Sequence, residues 1–146
     1  MATWLLLHYT LSARPSRHRV YIWRKLKALG AVVLQNAIWV LPDTAHTAEH
    51  FRWLVTEIQE MHGEASLWRS ELVLGMQESA LIQQFQDQVD EEYAGLLQRL
   101  DRKNADLAEI SRRYQQIARE DYFQSDLGQE VRDRLLALRG RSRWPG

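Results

Sequence analysis

The sequence has 146 residues, of which 45% are apolar and 26% are charged, with six Trp, three Pro and no Cys. This composition is typical of a folded globular protein and excludes a disordered or collagen-like chain. Because Cys is absent, disulfides, thiolate metal sites and thiol catalysis are excluded as well. The opening apolar run ends at His8 and has no basic flank. We therefore expect no signal peptide, no membrane span and a cytoplasmic protein.

The net charge of zero conceals a strongly asymmetric distribution of charge along the chain. Residues 1–42 carry six basic and no acidic side chains, and Asp43 is the first carboxylate. Residues 43–100 carry eleven carboxylates and only three Lys or Arg. An anionic partner should therefore bind the amino-terminal third. Three further basic residues that could assist lie in the tail: Arg139, Arg141 and Arg143.

The first half of the chain alternates between strand-like and helix-like patterns, separated by turn residues such as Gly30. In chain order we predict a strand over 3–11, a helix over 17–29, a hairpin over 31–42 turning at Gln35 and Asn36, a helix entered at Thr44 and closed by Gly63, and a strand over 64–74. The order β-α-β-β-α-β is that of ferredoxin-like folds. We therefore predict an α+β fold whose sheet leaves a face or an edge uncovered, and hence a homodimer.

After Gly75 the apolar residues recur only at helical spacing. This pattern predicts three helices, over 77–100, 103–119 and 127–139. The polar residues 101–104 are compatible with an antiparallel hairpin or with one continuous helix of about forty residues, and periodicity does not decide. We accordingly divide the chain into a ferredoxin-like domain, 1–75, and a helical segment, 76–146.

The helix predicted over residues 17–29 carries basic side chains on the side opposite its apolar residues. Such a stripe suits contacts with the phosphates of duplex DNA, which confer affinity that is independent of sequence and strongly dependent on salt. The alternative is a solvated face whose charges pair with the acidic segment. The candidate DNA-binding residues are Arg14, Arg17, Arg19, Arg24, Lys25 and Lys27.

The residues His46, Glu49 and His50 match H-x-x-E-H, the inverted zinc-peptidase signature. The match is short, His46 could precede the helix, and such an enzyme needs a third ligand and a substrate cleft. Three carboxylates distant in the sequence are candidates for that ligand: Glu120, Asp121 and Asp126. We therefore expect an ordinary polar helix face, with no metal and no cofactor.

Other catalytic signatures are absent, since the sequence has no phosphate-binding Gly loop and no G-x-S-x-G. A metal-dependent nuclease on such a fold would need an Asp at the end of the first strand, where His8, Tyr9 and Thr10 stand. We therefore expect a protein that is not an enzyme. The exposed position of Trp53 indicates an interface. Three strand tryptophans could form a base-stacking platform, although core or dimer packing is the stronger interpretation: Trp4, Trp39 and Trp68.

The stretch RVYIWRKLKALGAVVLQNAIWVLP, residues 19–42, resembles the amino-terminal region of the chromate-resistance protein ChrB family. WLLLHYTLSARPSRHR and QQIAREDYFQSDLGQEVRDRLLAL are similar to the same family region. That region is similar to the ferredoxin-like domain of the phenylacetate-catabolism repressor PaaX and of CRISPR adaptation nucleases.

The resemblance implies a chromate-responsive transcription regulator whose amino-terminal basic residues meet DNA. By position these are again Arg14, Arg17, Arg19, Arg24, Lys25 and Lys27. Family members continue into a second domain linked to chromate sensing, whereas this sequence ends at Gly146. Two questions therefore stay open: whether this chain senses chromate, and whether another chain supplies the second domain. The alternative function is a protein-interaction or dimerisation module without direct DNA binding.

Overall fold

The structure, a computed structural model, describes residues 2–35 and 37–143, with the backbone alone for 141–143. The chain divides into two compact units, the first ending at Glu78 and the second beginning at Ser79. The elements of the first unit are β1 (Trp4–Thr10), α1 (Ser16–Ala28), β2 (Val32–Leu34), β3 (Ile38–Pro42), α2 (Ala45–Glu60) and β4 (Glu64–Ser70).

The four strands form one antiparallel sheet in the order β2-β3-β1-β4. The two strands that are linked through helices to later strands lie side by side at its centre, which is the ferredoxin-like arrangement predicted from the sequence. In the register of the sheet, Leu7 of β1 lies opposite Trp39 of β3 and opposite Leu67 of β4. The α+β fold class is therefore confirmed.

The two helices of this unit form where the apolar periodicity predicts them. In α1, Ile22 and Leu26 are buried, whereas the charged positions face solvent. The helix α2 begins with a capping box, because the Thr44 side chain accepts a hydrogen bond from the Thr47 backbone N–H and Thr47 Oγ1 accepts one from the Thr44 N–H. This cap fixes the start of α2 at Ala45.

In the first unit, the end of β4 differs from the prediction, and the predicted hairpin turn lies only partly within the described residues. The strand β4 ends at Ser70 rather than at residue 74, because Ser70 pairs with Trp4, the first residue of β1, and later residues have no strand to pair with. The predicted hairpin turn contains Gln35, whose φ of 50° lies in the left-handed region. Asn36, the other predicted turn residue, lies outside the described residues.

The second unit contains three helices, and α3 (Glu78–Leu100) begins with the last residue of the first unit. The helices α4 (Leu107–Ala118) and α5 (Asp126–Arg143) follow. The segment 101–106 separates α3 from α4, so the single continuous helix is excluded. An ion pair between Arg113 and Glu92 and another between Arg99 and Glu109 show that α3 and α4 run antiparallel.

The core of the second unit is a cluster of buried aliphatic side chains around the Tyr93 ring. Its hydroxyl donates a 3.0 Å hydrogen bond to Asp121, which also accepts one from the backbone N–H of Ser125. Burial, with the Asp121 charge, raises the pKa of the Tyr93 phenol. In this way the turn after α4 is tied to the middle of α3. Over the described ranges, no helix combines the length and the apolar character needed to cross a bilayer.

Candidate nucleic-acid interface

The basic residues proposed for DNA binding are gathered on α1 and at its start, and every one of their side chains is exposed. Because Ile22 and Leu26 anchor α1 in the core, Arg17, Arg24 and Lys27 are held on its outward side. No ion pair of the described residues involves any of the six. The acidic segment does not neutralise this helix in the described structure.

The start of α1 adds a second feature that favours anions. Its cap residue, Pro15, makes no side-chain hydrogen bond to the helix, and the first turn contains no acidic residue. Backbone N–H groups at such an end carry partial positive charge and are not satisfied within the helix. Arg14 and Arg17 lie on either side of this end. A phosphate could therefore meet side-chain and backbone donors together.

Aromatic side chains stand among the basic ones on α1. The Nζ of Lys27 lies 5.9 Å from the centroid of the Trp23 ring, and the Nζ of Lys25 lies 5.4 Å from that of Tyr21. Both distances are within the range of a cation–π contact. Trp23 is nevertheless 51% exposed. The helix therefore offers apolar contact area as well as charge.

Arg19 and Arg24 line one open depression of about 480 Å³, together with Tyr9, Val20 and Trp23. Tyr9 lies on the same face of β1 as Leu5 and Leu7, so α1 covers that face of the sheet. Burial raises the pKa of the Tyr9 phenol, against the opposing effects of the Arg19 charge and of a hydrogen bond with Trp39. The place of Tyr9 in this depression could not be predicted from the sequence, because it depends on tertiary packing.

The other basic residues predicted to bind DNA do not line this depression. Lys25 lines a different groove, between α1 and α2. In the tail, Arg139 lies on α5, and the side chains of Arg141 and Arg143 lie outside the described residues. The structure thus brings Arg19 and Arg24 together and directs Lys25 to the other side of the helix.

The H-x-x-E-H residues lie within α2, which corrects the expectation that His46 could precede the helix. The Thr44 cap starts the helix one residue earlier, at Ala45. The His46 and His50 rings stand edge to face, with centroids 4.4 Å apart. In the described part of the chain, no group of three or more His, Cys, Asp or Glu is placed to hold a metal ion. The two histidines lie one helical turn apart, as the motif requires, but no third metal ligand lies beside them among the described residues.

The strand tryptophans do not form one stacking platform. Trp39 lies opposite Leu7, whereas Trp68 lies opposite Leu6, so the two rings project from opposite faces of the sheet. The indole N–H of Trp4 donates a 2.8 Å hydrogen bond to Glu78, and that of Trp68 donates one to Ser66. Trp4 lies on the same face as Trp68 but is only 2% exposed, so the three strand tryptophans do not offer two exposed neighbouring rings, which a base-stacking platform needs.

These features define a small α+β protein whose ferredoxin-like sheet presents a basic helix bearing exposed aromatic rings. The family model described as Protein ChrB, N-terminal, matches residues 19–118, more than half of the chain, and the chain belongs to this family. Membership supports a role related to chromate resistance. The matched segment begins within α1 and ends at the last residue of α4. No match was found among curated proteins or among solved structures.

Proposed function

We propose that this chain is a non-enzymatic, DNA-associated regulator of a chromate or oxyanion resistance operon, which binds duplex DNA through α1. The observation that supports the proposal is the set of exposed basic residues on and before α1, none of which is paired with a carboxylate among the described residues. Unpaired surface cations displace condensed counterions when they meet phosphates. Binding of this kind is therefore strongest at low salt and weakens as the salt concentration rises.

The positions of the basic residues support a division of roles on α1. Arg17, Arg24 and Lys27 face outward and would contact phosphates along one strand of the duplex. Arg14 would act with the uncapped helix end, which favours a single phosphate. Such contacts position the protein on DNA and do not distinguish one sequence from another.

The experiment is a salt titration of binding to a fluorescent duplex, followed by anisotropy. The logarithm of the binding constant should fall linearly with the logarithm of salt concentration, at about 0.9 units per phosphate contacted. Binding that does not change between 50 and 200 mM salt, roughly the range in which such contacts weaken by orders of magnitude, contradicts the proposal.

A second candidate function is a dimerisation or protein-interaction module. The observation that favours it is the exposure of Val73 and Leu74, each 90% exposed in the segment after β4. Adjacent exposed apolar side chains of this size are typical of a contact surface. We propose that the protein is a homodimer, an assembly compatible with DNA binding because two copies would present two basic helices.

A further inference from the structure

A second concave site lies in the first unit, between α1 and α2. It is a groove of about 340 Å³ whose walls are mostly apolar, and the Trp53 ring, 62% exposed, forms part of one wall. Its volume is that of a small-molecule pocket rather than of a surface irregularity. The lining residues are Lys25, Ala28, Leu29, His50, Trp53, Leu54 and Glu57.

Glu57 is the unusual member of this lining. Its Oε2 atom is buried and has no hydrogen-bond partner in the described structure. A buried acceptor without a donor is unfavourable, and more so when it belongs to a carboxylate. Lys25 lines the same groove but forms no ion pair with Glu57, and its Nζ stands instead by the Tyr21 ring. Oε1, the other oxygen of this carboxylate, is not shielded in this way and has no hydrogen-bond partner in the described structure, so it is the atom that can accept an N–H donor from a ligand in the groove.

The groove specifies three properties of that ligand. It must donate N–H groups to Glu57, lay a flat face against Trp53, and carry negative charge towards Lys25. A basic side chain from a partner protein meets the first two conditions, but it would be repelled by Lys25 and would fill little of the volume. A guanine nucleotide meets all three, because its N1–H and 2-amino group lie on one edge and its phosphate at the far end.

We propose that the groove binds a guanine nucleotide, with the base stacked on Trp53, its Watson–Crick edge donating to the Glu57 carboxylate, and its phosphate near Lys25. The base belongs either to a free nucleotide or to single-stranded nucleic acid, since pairing in a duplex occupies that edge. This site goes beyond the duplex-binding function. It shares Lys25 with the candidate DNA-binding residues, but Trp53 and Glu57 of α2 have no part in duplex binding, so variants at these two positions separate the two activities.

The test is calorimetric titration of the whole chain with guanosine, inosine and adenosine monophosphates. Guanosine monophosphate should bind about tenfold more tightly than the adenosine compound, the discrimination typical of a paired hydrogen-bonding edge. Inosine monophosphate, which lacks the 2-amino group, should fall between them. Equal affinity for guanosine and adenosine monophosphates, or no binding of the guanosine compound, overturns the proposal.

Two substitutions, each with a matched control, locate the ligand. Glu57→Gln should weaken binding of guanosine monophosphate about tenfold, whereas Glu60→Gln, on an exposed residue three positions further along α2, should not. Trp53→Ala should weaken it about tenfold, whereas Trp68→Ala, which removes a ring that is 61% exposed on β4, should leave it unchanged. Unaltered affinity in Glu57→Gln contradicts the assignment.

Glu57→Gln should not lower the melting temperature of the ligand-free protein, because it replaces a carboxylate that has no hydrogen-bond partner in the described structure with an amide of the same shape. A loss of binding in a variant of unchanged stability cannot come from unfolding. The source of the base is resolved with single-stranded oligonucleotides that contain one guanine or none. Binding that needs both the guanine and Glu57 supports the site in nucleic acid, and oligonucleotide binding that is indifferent to both contradicts it.

Discussion

The Nε of Arg69 donates a 2.5 Å hydrogen bond to Oδ2 of Asp43, joining β4 to the start of the loop before α2. Asp43 is the first carboxylate of the chain and the acid nearest in sequence to α1. The hydrogen bond and the charge of Asp43 raise the pKa of the Arg69 guanidinium. Asp43 is thus paired with β4 and not with a basic residue of α1.

A substitution at Gly128 tests the packing of the second unit. A Cβ at this position would lie 2.7 Å from carbon atoms of the buried Tyr93 ring, whereas a Cβ at Gly95, also within a helix, would meet nothing within 4 Å. Gly128→Ala should lower the free energy of unfolding by about 1–3 kcal/mol through overpacking. Gly95→Ala should raise it by about 0.5–1 kcal/mol through helix propensity. Urea unfolding of both variants measures the difference, and equal effects contradict the packing.

The stability of the second unit should depend on pH near neutrality because of Glu120. Burial, with the nearby Glu92 charge, raises the pKa of Glu120 to about 7 against the opposing effect of Arg113. The folded state therefore holds this proton more tightly than the unfolded state, and stability is lost as the pH rises from about 4.5 through about 7.

For this partly exposed group we expect a loss of about 1 kcal/mol after solvent screening. Glu120→Gln should abolish this part of the pH dependence, and Glu109→Gln, on an exposed carboxylate of α4, should preserve it. Melting temperatures between pH 5 and pH 8 measure the effect. A profile that is the same for Glu120→Gln and the unsubstituted protein contradicts it.

The assembly prediction concerns the segment after β4. Light scattering should report twice the chain mass of 17.2 kDa at micromolar concentrations. Replacing both Val73 and Leu74 with Ser should shift the mass to that of one chain, because these side chains are exposed and apolar. A single-chain mass for the unsubstituted protein at every workable concentration is the outcome that excludes the dimer.

The H-x-x-E-H residues should not give the protein a zinc-dependent hydrolase activity. Two histidines and a glutamate do not complete a catalytic zinc site, which uses three protein ligands and an open position. Elemental analysis of protein prepared without a histidine tag should find zinc well below one ion per chain. Stoichiometric zinc that is lost in His50→Ala, together with peptide cleavage, is the opposite outcome.

The sequence predicts the elements well where periodicity is set by burial, as in α1, predicted over 17–29 and observed over Ser16–Ala28. It is wrong at the end of β4, because the apolar residues Val73 and Leu74 continue the strand-like pattern beyond the length of β1. The basic surface could be predicted because charge is a property of single residues. The groove at Glu57 could not, since the burial of one carboxylate oxygen depends on how α1 and α2 pack.

Contact between α1 and DNA phosphates is tested by comparing two triple variants. One variant replaces Arg17, Arg24 and Lys27 with Ala. The control variant replaces three exposed basic residues of the second unit with Ala: Lys103, Arg112 and Arg132. None of the three forms an ion pair among the described residues, and their loss changes the net charge by the same amount.

Duplex binding measured over a range of salt concentrations gives the slope for each variant. Loss of the α1 residues should weaken binding and reduce the magnitude of the salt slope by about two to three units. The control should keep a slope close to that of the unsubstituted protein. An unchanged slope in the α1 variant, or the same reduction in both variants, would contradict the claim that α1 is the DNA-binding surface.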